Sequence, residues 1–209
     1  MRRAASLLVC VVVVFLGGCF LFNSGILYDE TWSDPNTTSW TLGNTETYTT
    51  SIASGRYHFR LKQAVTWFCW NTSEGPFGDA QFDVDVKHEE GTDNLSAGGL
   101  VFRLVDGQDA YVFQISAVGT FRITEWVAGV MSPLAAWTPS DAINKGAAQN
   151  HLTVLAEGTS LTFLINSTEV AELADSSFST GHVGVCVQAF SADVDVEESF
   201  DNLVVRELE

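Results

Sequence analysis

The sequence predicts an all-β chain that folds as two packed antiparallel sheets, and three observations lead there. From Gly98 to Val205, short segments alternate apolar and polar residues, reading in order GGLVFRL, AYVFQIS, TFRITEW, HLTVLAE, SLTFLIN, HVGVCVQ and SFDNLVV. A strand with one buried face repeats every two residues, and this many in succession call for a sandwich. Turn residues punctuate the series, and neither a heptad nor an internal repeat competes with it. The length of 209 residues suits one all-β domain.

The N-terminus is a segment of another kind. Arg2 and Arg3 lead into an apolar run from Leu7 to Leu16, the order of an export signal, and the run is too short to span a bilayer. The following Leu16-Gly17-Gly18-Cys19 resembles a bacterial lipobox, in which the cysteine sulfur carries lipid. This implies a signal peptide over 1–18, a tether over 19–26 and the folded domain over 27–209. Acyl chains on Cys19 would hold the domain to a membrane of the cell envelope on its extracytoplasmic side, each buried methylene contributing about 0.8 kcal/mol. An ordinary signal peptide in which Cys19 falls by chance is the plainer alternative. If the chain is bacterial, the sequons at Asn36, Asn71, Asn94 and Asn166 carry no meaning.

The folded domain begins with Leu27–Trp32. Ser33 to Ser51, rich in Thr, Asn and Ser around Pro35 and Trp40, reads as a loop. GRYHFRLK and AVTWFCWN follow as strands, then a turn at Gly75-Pro76, the strand AQFDVDVKH and a polar loop over Glu89–Ser96. Within Ser132–Gln149, Pro133, Pro139 and Gly146 argue against a continuous strand, and Ser140 could cap a brief helical turn. Glu157-Gly158-Thr159 joins HLTVLAE to SLTFLIN as a hairpin.

Charge narrows the function classes. The net charge is −16, and removal of Arg2 and Arg3 makes the mature chain more acidic still. Nucleic acid is therefore excluded as a partner, since phosphate neutralisation needs a basic face. After processing, Cys69 and Cys186 remain. They are read either as a disulfide, which an oxidising compartment favours, or as two buried thiols.

The ordered set GLVFR, YVFQIS, FRI, a tryptophan before Pro-Ser-Asp-Ala-Ile, N-x-L-x-V, FLIN, G-x-VG and terminal FDNLVV resembles the concanavalin A-like, laminin-G-like (LamG-like) jelly rolls of bacteria. It is similar in fold to the 3-keto-disaccharide hydrolase family. Asn166-Ser167 stands where those domains carry Asn-Gly. The resemblance implies a jelly-roll sandwich that handles carbohydrate, and a structural calcium ion where the first and last strands meet. Asp29 and Asp201 are the candidate ligands, with a turn-stabilising role as the alternative for Asp201. No other cofactor is implied.

Parity sorts the strands. Leu100, Phe102, Tyr111, Phe113, Ile115, Phe121 and Ile123 take the core face. Asp83, Asp85, Arg103, Gln114, Arg122, Thr124 and Trp126 point outward. If their strands are neighbours, Asp83, Asp85, Arg103, Gln114, Arg122 and Trp126 make one polar surface with an aromatic platform, which suits a sugar ring and its hydroxyls. The competing reading is a solvated face with cross-strand Asp–Arg pairs. Trp40, Trp67, Trp70 and Trp137 are assigned to core edges and loops.

Asp83 and Asp85, two apart on a strand, also fall within the separation of glycosidase carboxylates. The Glu-x-Asp-x-x-Glu signature of jelly-roll glucanases is missing from that segment, so the resemblance favours binding over hydrolysis. His58, His88, His151 and His182 show no metal-ligand spacing, and no G-x-S-x-G nucleophile motif occurs. The expected function is a lipid-anchored module binding glycan or another cell-surface partner through Asp85, Arg103, Gln114, Arg122 and Trp126. A glycoside or keto-disaccharide hydrolase using Asp83 or Asp85, and a structural envelope protein, are the alternatives.

Overall fold

The computed structural model of the chain describes residues 25–70, 74–89, 96–191 and 195–208, with backbone only for Cys69 and Trp70. The export segment, Cys19, Asn71 and Asn94 lie outside the described residues. Within them there is no helix, and the chain builds two antiparallel sheets.

The nine-stranded sheet contains β1 (Ile26–Glu30), β2 (Gly43–Asn44), β3 (Tyr48–Ala53), β4 (Arg56–Leu61), β6 (Ala80–His88), β11 (Gln149–Glu157), β12 (Ser160–Ile165), β13 (Thr168–Ala174) and β15 (Val196–Arg206). Its order is β13-β12-β11-β6-β15-β4-β3-β2, with β1 also paired to β15. The six-stranded sheet contains β5 (Thr66–Trp70), β7 (Ser96–Asp106), β8 (Asp109–Ser116), β9 (Thr120–Val127), β10 (Val130–Pro139) and β14 (His182–Ala189), in the order β10-β9-β8-β7-β14-β5. Among the described strands the chain changes sheet six times, at β4–β5, β5–β6, β6–β7, β10–β11, β13–β14 and β14–β15. This is the jelly-roll sandwich that the sequence predicts.

The alternation explains how the sheets join. Leu100, Phe102, Phe113, Phe121 and Ile123 face inward from the six-stranded sheet and meet Phe82, Leu152, Phe163 and Phe200 from the other. Phe163 is the aromatic hinge of the interface, 5.1 Å from Phe113 and 6.1 Å from Phe102 between ring centroids. Such pairs add about 0.5–1.5 kcal/mol beyond their buried area. Trp40 is buried against Trp32 and Tyr57, pinning the segment after β1 as expected.

Three segments depart from the sequence reading. Ser33–Ser51 is not wholly a loop, because β2 and the start of β3 lie in it; its threonines suit strands as well as turns. Ser132–Gln149 contains most of β10 despite Pro133 and Pro139. β10 is an edge strand whose pairing with β9 shifts register around Pro133 and again before Thr138, so the missing amides fall where no ladder bond is required. The Ser140 hydroxyl does accept from the Ala142 amide at 3.2 Å, but in a turn and not a helix. β13, at the opposite edge, was not anticipated. It follows a hairpin in which Asn166 (φ 50°) and Ser167 (φ 66°) are both left-handed, the conformation that the usual Asn-Gly serves.

Of the two readings for the cysteines, Cys186 follows the second, as a buried free thiol. The register sets Cys186 opposite Phe68 and Cys69 opposite Val185, so the two cysteines are one step out of phase across β5 and β14.

Candidate functional site

The outer face of the six-stranded sheet is built by the residues between the core positions. Strand register aligns Phe68, Cys186, Gly99, Gln114 and Arg122 in one row across β5, β14, β7, β8 and β9. Gly99 makes the row possible, since a Cβ there would run into the Phe113 carbonyl oxygen and lie 2.8 Å from Gln114 Cα. Toward one end the face is apolar, with Val101, Leu104, Ala110 and Val112 beside Phe68, and Trp126 packed edge-on 5.1 Å from the Phe68 ring. Next to Trp126, at the β5 edge, a depression of about 440 Å³ is lined by Thr41, Tyr48, Trp67 and Phe68 among others.

Toward the other end the face is polar and centred on Arg122, which is 7% exposed. Its Nε and Nη2 donate to Gln114 Oε1 at 3.0 and 2.7 Å, and Nη2 also donates to Gln188 Oε1 at 2.5 Å. The guanidinium carbon lies 4.8 Å from the centre of the Trp137 ring, which meets Phe190 at 90°. Stacking and paired neutral acceptors fix the plane of the cation. Burial pulls the Arg122 pKa down from its ordinary value and pushes the Cys186 thiol well up. Gln114 is fully buried, and its Nε2 has no hydrogen-bond partner of normal geometry among the described residues, although the amide lies near enough to Cys186 to oppose that rise.

Charge balance sets Arg122 apart. Arg56, Arg60, Arg103 and Arg206 each have a carboxylate oxygen within 4.0 Å, at Asp201, at Glu197 and Asp195, at Asp79 and at Asp83 respectively. Arg122 has no such carboxylate among the described residues. Its partners orient the charge without neutralising it.

The predicted single surface is not formed. Gln114, Arg122, Thr124 and Trp126 do share the outer face, but Asp83 and Asp85 belong to β6 in the other sheet and face away on the opposite side of the sandwich. They flank His151, whose Nδ1 lies 2.7 Å from Asp85 and whose Nε2 lies 3.4 Å from Asp83. Asp83 also accepts from Thr153 and Gln81, and Asp85 from Gln149 and Asn202. Burial alone would raise both acids, but these bonds and the imidazolium charge outweigh it and hold both below the usual carboxylate value. The same bonds push His151 up to about 9.

Arg103 also leaves the predicted surface. The register of β7 shifts after Phe102, and Arg103 itself is left-handed at φ 47°, so the alternation breaks at this residue. The fully buried side chain instead donates to the Gly158 and Phe178 carbonyls at 2.9 and 3.0 Å and to Asp79 Oδ1 at 3.0 Å, tying β7 to the β11–β12 hairpin of the opposite sheet.

β1 and β15 meet as the resemblance implies, but Asp29 is exposed opposite Val204, whereas Asp201 lies opposite Asp85 with Arg56 at 3.7 Å. Among the described residues there is no group of three or more His, Cys, Asp or Glu side chains placed to hold a metal ion. Two site residues were missed. Gln188 has the same parity as Cys186 in HVGVCVQ and was legible in principle. Trp137 was assigned to a loop edge because β10 was not recognised.

The chain matches no family model and no curated protein. Among solved structures it is similar to the carbohydrate-binding module CBM66 from Bacillus subtilis, at 22% identity and TM-score 0.63 over 82% of this chain and 98% of that one. It is also similar to a Bacillus subtilis protein of unknown function with a galectin-like fold, at 12% identity and TM-score 0.66 over 88% and 96%. A third is the Bacillus licheniformis β-glucanase, at 12% identity and TM-score 0.61 over 88% and 100%. At these identities the likeness is one of fold alone, and it agrees with the jelly-roll sandwich described above.

Proposed function

We propose that this chain is a lipid-anchored, extracytoplasmic module that binds glycan on the outer face of its six-stranded sheet and does not hydrolyse it. The observation that carries the reading is the row through Gln114 and Arg122, bordered by Trp126 and Trp137. Planar donors and acceptors beside aromatic rings answer the two surfaces of a pyranose, its hydroxyls and its apolar face. The carbohydrate-binding module and the β-glucanase of similar fold lend support. The absence of catalysis is supported by Asp83 and Asp85, since hydrogen bonds hold both below the ordinary carboxylate pKa and neither is tuned to protonate a leaving group near neutral pH.

The test is a glycan microarray combined with an assay for released reducing sugar. Binding without release is expected, weakened by about tenfold or more in Trp126→Ala, the equivalent of about 1.4 kcal/mol. Sugar release abolished by Asp85→Ala would replace this reading with the hydrolase, and silence in both assays would leave the structural envelope protein. Mass spectrometry of the membrane fraction is expected to find acylated Cys19, and membrane retention of Cys19→Ser would remove the anchor from the proposal.

A further inference from the structure

Arg122 is a nearly buried cation held by two glutamine oxygens and an aromatic ring, in a chain whose net charge is −16. Acids are plentiful, and the other described arginines each have one; this site does without. A desolvated guanidinium lacking a counter-ion is costly to keep unless something else compensates it. The second donor in the row, Gln114 Nε2, is buried and unpartnered among the described residues. Arg122 Nη1 likewise donates to no described residue. Two donors, one of them charged, thus await an acceptor on a face whose own acceptors, Gln114 Oε1 and Gln188 Oε1, are already used.

Resting on the glycan reading above, we propose that the ligand is a carboxylated sugar, a uronic acid or another sugar acid, whose carboxylate pairs with Arg122 and takes a further hydrogen bond from Gln114 Nε2. A charge-assisted bond of this kind is about twice as strong as a neutral one. The face grades from this cationic end to the half-buried Trp126, which is packed on the buried Val101 and Val112 and offers its ring to the CH face of the same or the next sugar. The acidic remainder of the protein opposes an anion at long range, but that repulsion is screened beyond about 8 Å at physiological salt. Specificity is accordingly local, and it comes from the described arginine that has no carboxylate beside it among the described residues.

The test compares oligogalacturonate, its methyl ester and the matching galactose oligomer by calorimetry with the full chain, with an array of other uronates and sialic acids beside them. The acid form is expected to bind about tenfold or more tighter than its ester, or an arrayed sugar acid tighter than its neutral counterpart to the same extent. In Arg122→Met this ratio is expected to fall close to one. Equal binding of acids and neutral forms would overturn the sugar-acid assignment while leaving the glycan reading intact. No binding of any carbohydrate would overturn both. The acid-to-ester comparison on the unmodified protein keeps the assignment falsifiable even if Arg122→Met does not fold.

Discussion

Both outer faces of the sandwich take their polar residues from the same two-residue alternation, but they treat charge differently. On the nine-stranded sheet, His151 sits between Asp83 and Asp85, Arg206 reaches Asp83, Arg56 reaches Asp201, and His58 and Arg60 share Glu197. Each of these charges finds its opposite on a neighbouring strand, and the face is complete in itself. On the six-stranded sheet, Arg122 is oriented by Gln114, Gln188 and Trp137 and neutralised by none of them. The difference separates a face whose charges are matched within it from one that holds a cation without an acid beside it among the described residues, a distinction that counting polar residues would miss.

The comparison can be broken most forcefully at the floor of the six-stranded face. Gly99→Ala places a methyl group on the Phe113 carbonyl, which a flat row cannot absorb, and a loss of about 3 kcal/mol or more in urea denaturation is expected. On the opposite face, Asp83→Ala strands the donors on Thr153, Gln81 and His151, with an expected loss of about 2 kcal/mol.

The paired face should also respond to pH. The pKa of His151 is raised from its ordinary 6.5 to about 9, so its stabilising contribution is complete below 6.5 and disappears as pH rises through about 9. Its side chain is 41% exposed, and solvent screening reduces the effect to about 1 kcal/mol. Thermal melts between those pH values should show the decline, and His151→Gln should flatten it. For Asp83 and Asp85 the direction is opposite: their contribution is present above 3.8 and is lost as pH falls below it. The smallest expected effect is that of Arg122→Met, about 0.5 kcal/mol, because removal of an uncompensated buried cation offsets most of the loss from the Gln114 and Gln188 oxygens left without their donor. A loss there as large as that of Asp83→Ala would erase the contrast between the faces.

Much of this was legible in the sequence. The central strands and their inward residues, from Leu100 to Ile123, follow from alternation, and so does the outward direction of Gln114, Arg122 and Trp126. The edge strands β10 and β13 were not legible, because prolines interrupt one and both carry only a partial apolar face. Asp83 and Asp85 were assigned the correct direction but grouped with the wrong sheet. Arg103 was misplaced because a bulge reverses parity at one residue.

Alternation is a local property of a strand, and burial of every second side chain is enough to impose it; the all-β architecture and the inward-facing set therefore reside in the residues alone. Sheet membership is not local. It depends on where the chain crosses the sandwich after β6 and how fifteen strands close around one core, which no short segment encodes. That closure set Asp83 and Asp85 against His151 and left Arg122 on the other face without an acid among the described residues, since charges compensate each other only when folding brings their strands side by side.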